Sequence, residues 1–193
     1  MGYVVFVDTE TTGLPPRSTV TSHNFQLWKN CRLVQLAWEI RYEPSNGELA
    51  LKRNLLVTPV DFEIPDAAVA IHGITTEHAK NNGQSLQSVL EQLFADIASY
   101  NVTKIVAHNI SFDVNVLLAE LYTIAREDLV TILLGMTKFC TMRNGTQPGE
   151  RWPKLQVLYE RLCGPLSDEL RNSLHDASVD VHLCSKIYFA MPS

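Results

Sequence analysis

The first half of the chain has the hydrophobic pattern of consecutive β-strands. Apolar or alternating runs at residues 3–8, 33–42 and 51–58 each predict a strand. Asn46 and Gly47 give a turn signal between the second and third runs. Because no helical pattern separates the three runs, we predict that they form an antiparallel start to a sheet.

A helical pattern begins after Ser85, which is a predicted N-cap. Apolar residues then recur at i, i+3, i+4, i+7, i+8 and i+11, namely Leu86, Val89, Leu90, Leu93, Phe94 and Ile97. Farther along, strands are predicted at 104–108 and 137–141, and helices at 111–125, 154–163 and 176–190. A run of strands followed by this alternation predicts an α/β fold, with a mixed five-stranded sheet flanked by helices.

Two segments show neither pattern. Residues 15–32 contain Pro15 and Pro16, and residues 143–153 contain two glycines and two prolines. We predict that both are long loops, and loops of this length are often functional or mobile.

The composition predicts one domain in a reducing compartment. A chain of 193 residues with 46% hydrophobic content is ordinary for a single domain, here 1–193. No signal peptide or membrane-spanning run is recognisable. Four scattered cysteines without a C-x-x-C pair argue against a structural zinc site and a disulfide framework. We therefore expect an intracellular protein, cytoplasmic or nuclear, with no membrane partner.

The charge of the chain is unevenly distributed. The formal net charge is −5, which argues weakly against a protein that coats duplex nucleic acid. Between Lys138 and Arg161, however, five cations stand against two acids. A solvated face and a contact surface for phosphate both remain open as interpretations of this run.

Two acids follow the first predicted strand. Asp8 and Glu10 share one side of an extended chain, because strand side chains alternate with period two. Two carboxylates this close repel, and one takes up a proton unless a cation lies between them. A hard divalent ion is the natural partner. A lone D-x-E pair is common, however, and solvated acids at a strand end would explain it equally well.

Further acids and a histidine occur at two other element boundaries. Asp113 falls in the first turn of the helix at 111–125, where the helix dipole also favours an acid. Asp180 lies in the largely apolar last helix and needs a partner. His175 and Asp180 are about 140° apart on a continuous helix, so a shared site requires His175 to precede the helix, with Asp176 as N-cap.

The order and spacing of these motifs resemble a known family. Residues 8–13 read D-x-E-T-T-G, residues 108–113 read H-N-x-x-F-D, and residues 175–180 read H-D-A-x-x-D. Together they resemble the DEDDh 3′–5′ exonuclease family, which includes polymerase proofreading subunits, Trex-type DNA exonucleases and RNase T-like RNA trimming enzymes. The segments 71–75 and 154–159 also resemble family segments.

The resemblance implies an RNase H-like fold and a two-metal site. The implied metal ligands are Asp8, Glu10, Asp113 and Asp180, and the implied cofactors are two Mg²⁺ ions, with Mn²⁺ as a substitute. His175 is the implied general base, acting on a water that Glu10 helps to place. The expected reaction is hydrolysis from a 3′ end to nucleoside 5′-monophosphates.

The resemblance also implies contacts with the terminal nucleotide. The implied residues are Thr9, Thr11, Leu14, Ile71, His72, Asn109 and Phe112, with Leu14 as an apolar wedge between the last two bases. Phe112 as a core residue is an equally good interpretation, and His108 and Asn109 are expected to order the site. Phe25 or Trp28 in the long loop either stacks on a base or pins down the loop.

Single-stranded or frayed DNA is the expected substrate, and RNA is the alternative. A 3′-end-binding module without catalysis is a third hypothesis, disfavoured because all five catalytic positions are filled. No Trex-type proline-rich insert and no polymerase-binding tail after Ser193 are recognisable, so we expect a bare catalytic domain. A polymerase partner and the choice between monomer and homodimer stay open.

Overall fold

The computed structural model describes residues 2–45 and 47–192 of the chain. Its sheet consists of β1 (Tyr3–Thr11), β2 (Leu33–Tyr42), β3 (Glu48–Leu56), β4 (Lys104–Ala107) and β5 (Thr137–Cys140). The strand order is β3-β2-β1-β4-β5. The pairs β1–β2 and β2–β3 are antiparallel, and β1–β4 and β4–β5 are parallel. The predicted mixed five-stranded sheet with an antiparallel start is confirmed.

Helices flank this sheet. They are α1 (Asp66–His72), α2 (Thr76–Asn82), α3 (Leu86–Ser99), α4 (Ile110–Thr123), α5 (Glu127–Gly135), α6 (Thr141–Asn144), α7 (Leu155–Cys163), α8 (Asp168–Asn172) and α9 (Ala177–Ala190). Short 3₁₀ helices cover Phe25–Trp28 and Glu43–Ser45. Among the described residues, none of the helices combines the length and apolarity that a membrane span needs.

The central strand β1 is buried on both faces. Val5 and Val7 pack into a large core with residues of α3 and α4, whereas Val4 and Phe6 pack into a second core against α9. Because strand side chains alternate with period two, Asp8 and Glu10 lie on the same face of β1 as Val4 and Phe6. Both acids therefore point toward the face that α9 covers.

The first strand extends beyond its predicted end at residue 8. β1 runs to Thr11 because Asp8 and Glu10 still pair with Ala37 and Gln35 of β2. On its other edge, β1 pairs with β4 only at Val5 and Phe6. Asp8 and Glu10 thus lie beyond the carboxyl end of β4, where β1 is still paired with β2 and no longer with β4.

Several other boundaries also differ from prediction. β3 runs from Glu48 to Leu56 instead of 51–58, since pairing with β2 already begins at Glu48, and Val57, which still donates to Val34 O of β2, forms an isolated bridge with Gln84. The helices α1, α2, α5, α6 and α8 were not predicted. Gly47 has a φ of +79° and packs against the ring of Phe189, whereas the Asn46 half of the predicted turn lies outside the described residues.

Candidate active site

Three elements bring four acids together at the open end of β1. Oxygen atoms of Asp8, Glu10 and Asp180 lie within 4.8 Å of one another, which is a spacing that could hold a metal ion. Asp113, in the first turn of α4, is buried and accepts a hydrogen bond from Thr9 Oγ1 at 2.9 Å. The four acids predicted as metal ligands therefore converge, with Asp113 outside the tightest group of three.

One oxygen of this cluster lacks a partner. Asp180 Oδ1 is buried and has no hydrogen-bond partner among the described residues. A buried carboxylate oxygen without a donor is costly. An oxygen-only donor set with one orphaned acceptor fits a hard divalent cation such as Mg²⁺.

Burial and mutual repulsion of the four carboxylates also favour a bound cation. Burial, and then the charges of Asp113, Asp180 and Glu10, raise the pKa of Asp8 well above its usual value. Burial and Asp180 raise the pKa of Glu10 to about 8. Burial raises the pKa values of Asp113 and Asp180 to about 7, although the Thr9 hydroxyl opposes the shift at Asp113. Without a cation, the cluster would hold protons near neutral pH.

His175 lies at the edge of the acidic cluster. It is exposed, and it precedes α9 in a left-handed conformation with a φ of 68°. Together with Asp180 and Lys154 it lines a cleft of about 320 Å³. The predicted placement before the helix is confirmed, and so is Asp176 as N-cap, since its Oδ1 accepts from Ser178 N at 2.8 Å.

A second cleft, of about 470 Å³, opens on the other side of Glu10. It is lined by Glu10, Thr11, Thr12, Gly13, Leu14, Ala67, Ala68, Ile71, His72 and Phe112. Leu14 is 89% exposed and Ile71 is 60% exposed, so two large apolar side chains face solvent at its rim. Five of the seven residues predicted to contact a nucleotide share this cleft.

Thr9 and Asn109 do not line the cleft. Strand alternation places Thr9 opposite Asp8 and Glu10, where its hydroxyl is buried against Asp113. The prediction that this side chain contacts the nucleotide is therefore not supported; its hydroxyl orients a carboxylate. Asn109 has a φ of 71° and forms the N-terminal boundary of α4, a backbone conformation that asparagine tolerates well.

His72 is held by the turn that ends α1. Its Nδ1 accepts a hydrogen bond from the backbone N–H of Ile74 at 3.1 Å, which places the ring proton on Nε2. Burial lowers the pKa of His72, against an opposing effect of the Thr11 backbone. The ring is therefore neutral near pH 7 and adds no cation to the cleft.

Two polar residues of neighbouring elements support the site. His108 lies between Thr141 Oγ1 and the Pro153 carbonyl, each 3.0 Å from a ring nitrogen, and so ties the end of β4 to the 143–153 segment. Gln35 was missed by the sequence analysis. Its Oε1 accepts from the backbone N–H of Ala177 at 3.3 Å, at the start of α9. A buried amide in the apolar run 33–42 was the available signal.

The aromatic residues of the long loop pack inward. Trp28 is 3% exposed, and Phe25 stacks on Tyr122 of α4 with ring centroids 5.8 Å apart. The backbone N–H of Val20 donates to Asn115 Oδ1 at 3.0 Å, which fixes the loop to the same helix. Of the two interpretations of these aromatics, the one in which they pin the loop is confirmed.

Solved structures of bacterial exonucleases share this fold. Escherichia coli Exonuclease I, in complex with a dA16 oligonucleotide, superposes with a TM-score of 0.67 and 19% identity over 97% of this chain and 40% of its own. Exonuclease I from Methylocaldum szegediense gives a TM-score of 0.66 at 18% identity, covering 98% of this chain and 40% of its own. The chain thus spans about two fifths of these proteins. The likeness confirms the predicted RNase H-like fold.

Sequence comparison extends the relationship. The DNA polymerase III subunit epsilon of Rickettsia conorii is 27% identical over 185 residues, covering 95% of this chain and 71% of its own. The profile of the RNase_T family, described as an exonuclease family, matches residues 5–188. The enzyme class predicted from the motifs, a 3′–5′ exonuclease, is supported by both matches. The chain therefore belongs to the RNase_T exonuclease family.

Proposed function

We propose that this protein removes nucleotides one at a time from the 3′ end of single-stranded or frayed DNA, as nucleoside 5′-monophosphates. The observation that carries the proposal is the cluster of Asp8, Glu10 and Asp180 oxygens within 4.8 Å of one another. The cluster adjoins a cleft of about 470 Å³ with exposed apolar side chains at its rim. That combination suits a phosphodiester bond whose terminal base rests on the apolar rim.

The proposed cofactors are two divalent cations, Mg²⁺ in the first place. Asp8, Glu10, Asp113 and Asp180 would hold them, because their oxygens suit hard cations and Asp180 Oδ1 finds no hydrogen-bond donor in the described part of the chain. Bound there, the ions would stabilise negative charge on the attacking and leaving oxygens. Mn²⁺ is a chemically reasonable substitute.

His175 is the proposed general base. Its exposed position beside Asp180 leaves the ring in contact with solvent, where an attacking water enters. As the water oxygen bonds to phosphorus, one of its protons passes to this imidazole. The bond from phosphorus to the 3′-oxygen of the preceding nucleotide breaks, and that oxygen takes up a proton from solvent. General-base catalysis of this kind is worth about 10²- to 10⁴-fold in rate.

The terminal nucleotide is proposed to lie in the cleft beside Glu10. Leu14 and Ile71 offer apolar contact with bases, and Thr11 lies close to the expected 3′-hydroxyl. Relatives favour DNA as substrate: the name of the Rickettsia protein is that of a DNA polymerase subunit, and Exonuclease I has been crystallised with DNA oligonucleotides. We also propose that residues 1–193 act as one exonuclease domain, which the family match to residues 5–188 supports.

One assay series tests the proposal. The purified chain is incubated with 5′-labelled single-stranded DNA, a duplex with a 3′ mismatch, and RNA, each with Mg²⁺, Mn²⁺ or a chelator. We expect stepwise shortening from the 3′ end with either metal and none with the chelator, with DNA faster than RNA. Asp8→Asn and His175→Ala serve as inactive controls.

Different outcomes separate the alternatives. Faster digestion of RNA would assign the chain to RNA trimming. Tight binding of 3′ ends without products would indicate a catalytically silent module. Activity that persists in chelator and in Asp8→Asn would contradict the proposed metal site.

A further inference from the structure

A surface with two cations lies beside the acidic cluster, because its Lys154 lines the cleft that contains His175 and Asp180. It consists of Ser111, Arg143, Trp152 and Lys154, and is called the Trp152 surface below. Trp152 is 64% exposed, whereas the other two tryptophans, Trp28 and Trp38, are 3% and 0% exposed. An indole left in water needs an explanation, because aromatic side chains of this size are largely buried on average.

The indole is held next to a cation. The guanidinium carbon of Arg143 lies 5.8 Å from the centroid of the Trp152 ring. Arg143 Nη2 also donates to Ser111 Oγ at 3.1 Å. Ser111 immediately precedes Phe112, which lines the cleft proposed for the terminal nucleotide. The Trp152 surface is therefore fixed to the first turn of α4, which also carries Phe112 and Asp113.

The other end of the surface reaches the proposed base. Lys154 lines the cleft that also contains His175 and Asp180. Between Trp152 and Lys154, the carbonyl of Pro153 is fixed 3.0 Å from His108 Nε2. The segment that carries both side chains is thus anchored to the sheet, although it lies within a long connection.

The cations of this surface are not neutralised by carboxylates. Within the described residues, Arg161 pairs with Glu150, but neither Arg143 nor Lys154 forms an ion pair. Arg143 also borders a cleft of about 470 Å³ that contains Lys138, Asn115 and Ser111. In a chain with a net charge of −5, unpaired cations beside a cluster of acids favour an anionic ligand.

We propose that the Trp152 surface binds single-stranded nucleic acid upstream of the bond that is cleaved. Trp152 stacks on a base, while Arg143 and Lys154 contact backbone phosphates. An exposed aromatic ring next to cations is the combination that single-strand-binding proteins use, because every base offers a face for stacking. This inference rests on the proposed function, and it makes an oligonucleotide a better substrate than a dinucleotide.

The fluorescence of Trp152 provides a direct test. In the Asp8→Asn chain, we expect a 12-nucleotide single strand to quench tryptophan emission and a dinucleotide to quench it much less. Trp152→Phe should lose most of the quenching but keep binding within about threefold, as ring stacking is retained. Trp152→Ala should weaken binding of the 12-nucleotide strand by about 5- to 150-fold.

Matched controls separate this surface from general effects. Leu27→Ala removes another exposed apolar side chain, 60% exposed, and should leave binding unchanged. Arg143→Ala should reduce the salt dependence of binding by about one phosphate contact, whereas Lys80→Ala, an exposed cation of α2, should not.

The outcomes distinguish this inference from the proposed function. If Trp152→Ala binds the 12-nucleotide strand as tightly as the parent while the wild-type chain still degrades DNA, the inference is overturned and the function stands. If the wild-type chain degrades no nucleic acid with Mg²⁺ or Mn²⁺, the proposed function fails, whatever the fluorescence shows. A selective loss of binding in Trp152→Ala, with Leu27→Ala unchanged, supports the inference, and digestion of DNA by the wild-type chain supports the function.

Discussion

Thr9 Oγ1 lies 2.9 Å from Asp113 Oδ1 and donates a hydrogen bond that joins β1 to α4 beneath the acidic cluster. The hydroxyl helps to keep Asp113 ionised, because it stabilises the carboxylate against the effect of burial on its pKa. One side chain of the D-x-E motif thus orients an acid that is 104 residues away.

Thr9→Val should lower metal affinity, activity, or both, by about 10- to 100-fold, since outer partners of metal ligands commonly have effects of this size. The change keeps the shape of the side chain and removes the donor. The measurement is the Mg²⁺ dependence of 3′-end digestion, with Thr9→Ser as the control that retains the hydroxyl. Equal Mg²⁺ dependence in wild type and Thr9→Val would contradict this role.

Asp180→Asn should stabilise the metal-free protein at pH 8 while it abolishes activity. Folding raises the pKa of Asp180 from its ordinary value to about 7. The stability associated with a raised carboxyl pKa is therefore fully present below about pH 4 and is lost as the pH rises through about 7. Near pH 8, Asp180→Asn is expected to raise the free energy of unfolding of the metal-free protein by about 1–4 kcal/mol.

The measurement is thermal unfolding in chelator at pH 5 and pH 8. The difference between Asp180→Asn and wild type should grow with pH and shrink when Mg²⁺ is added, because the ion stabilises the folded wild-type protein. A wild-type chain more stable than Asp180→Asn in chelator at pH 8 would refute the electrostatic account.

Gln35→Leu should reduce kcat more than it changes KM. The substitution removes the acceptor of the Ala177 N–H and so loosens the start of α9, which directly follows His175 and carries Asp180. Leaving a buried N–H unpaired costs about 1–3 kcal/mol of unfolding free energy.

Asn54→Ala is the matched control for Gln35→Leu. Asn54 is exposed and accepts from Gln35 Nε2, so its loss leaves the bond to Ala177 intact. Steady-state kinetics and the pH profile of kcat should be nearly normal in Asn54→Ala and altered in Gln35→Leu. If Gln35→Leu shows the same nearly normal kinetics and pH profile of kcat as Asn54→Ala, Gln35 acts on stability alone.

Leu14→Ala should lower kcat/KM for 3′-end digestion with little change in stability. Leu14 is 89% exposed, so its truncation removes almost no core packing, and the unfolding free energy should shift by less than about 0.5 kcal/mol. Leu27→Ala, in the segment 15–32 that follows Leu14, controls for the loss of an exposed leucine. If both variants digest DNA like the wild type, Leu14 does not contact the substrate.

The sequence predicted the parts of the fold that have strong periodicity. The helix at Leu86–Ser99 and the strand at Leu33–Tyr42 were predicted closely, because the helix buries one regular apolar face and the strand is rich in buried apolar residues. The seven-residue helices α1 and α2 were missed, since they are too short to show a helical period and their burial depends on a small separate core.

The acids of the candidate site could be predicted from the sequence, whereas the residues that position them were harder to predict. Asp8, Glu10, Asp113 and Asp180 are recognisable from motif spacing, and their convergence is in the structure. The roles of Thr9 and Gln35 depend on which strand face each residue occupies and on what packs there. That information comes from strand order and from the docking of α9, which no local pattern encodes.

On the function proposed for the acids, their assembly also determines when the chain can become a nuclease. Asp8 is synthesised well before Asp180, which lies on α9, the helix that covers the central strand. A nascent chain can therefore form its antiparallel hairpins long before it gains a complete site. Hydrolytic competence would then arrive last, so that a copy in which α9 has not docked would pose little threat to nearby nucleic acid.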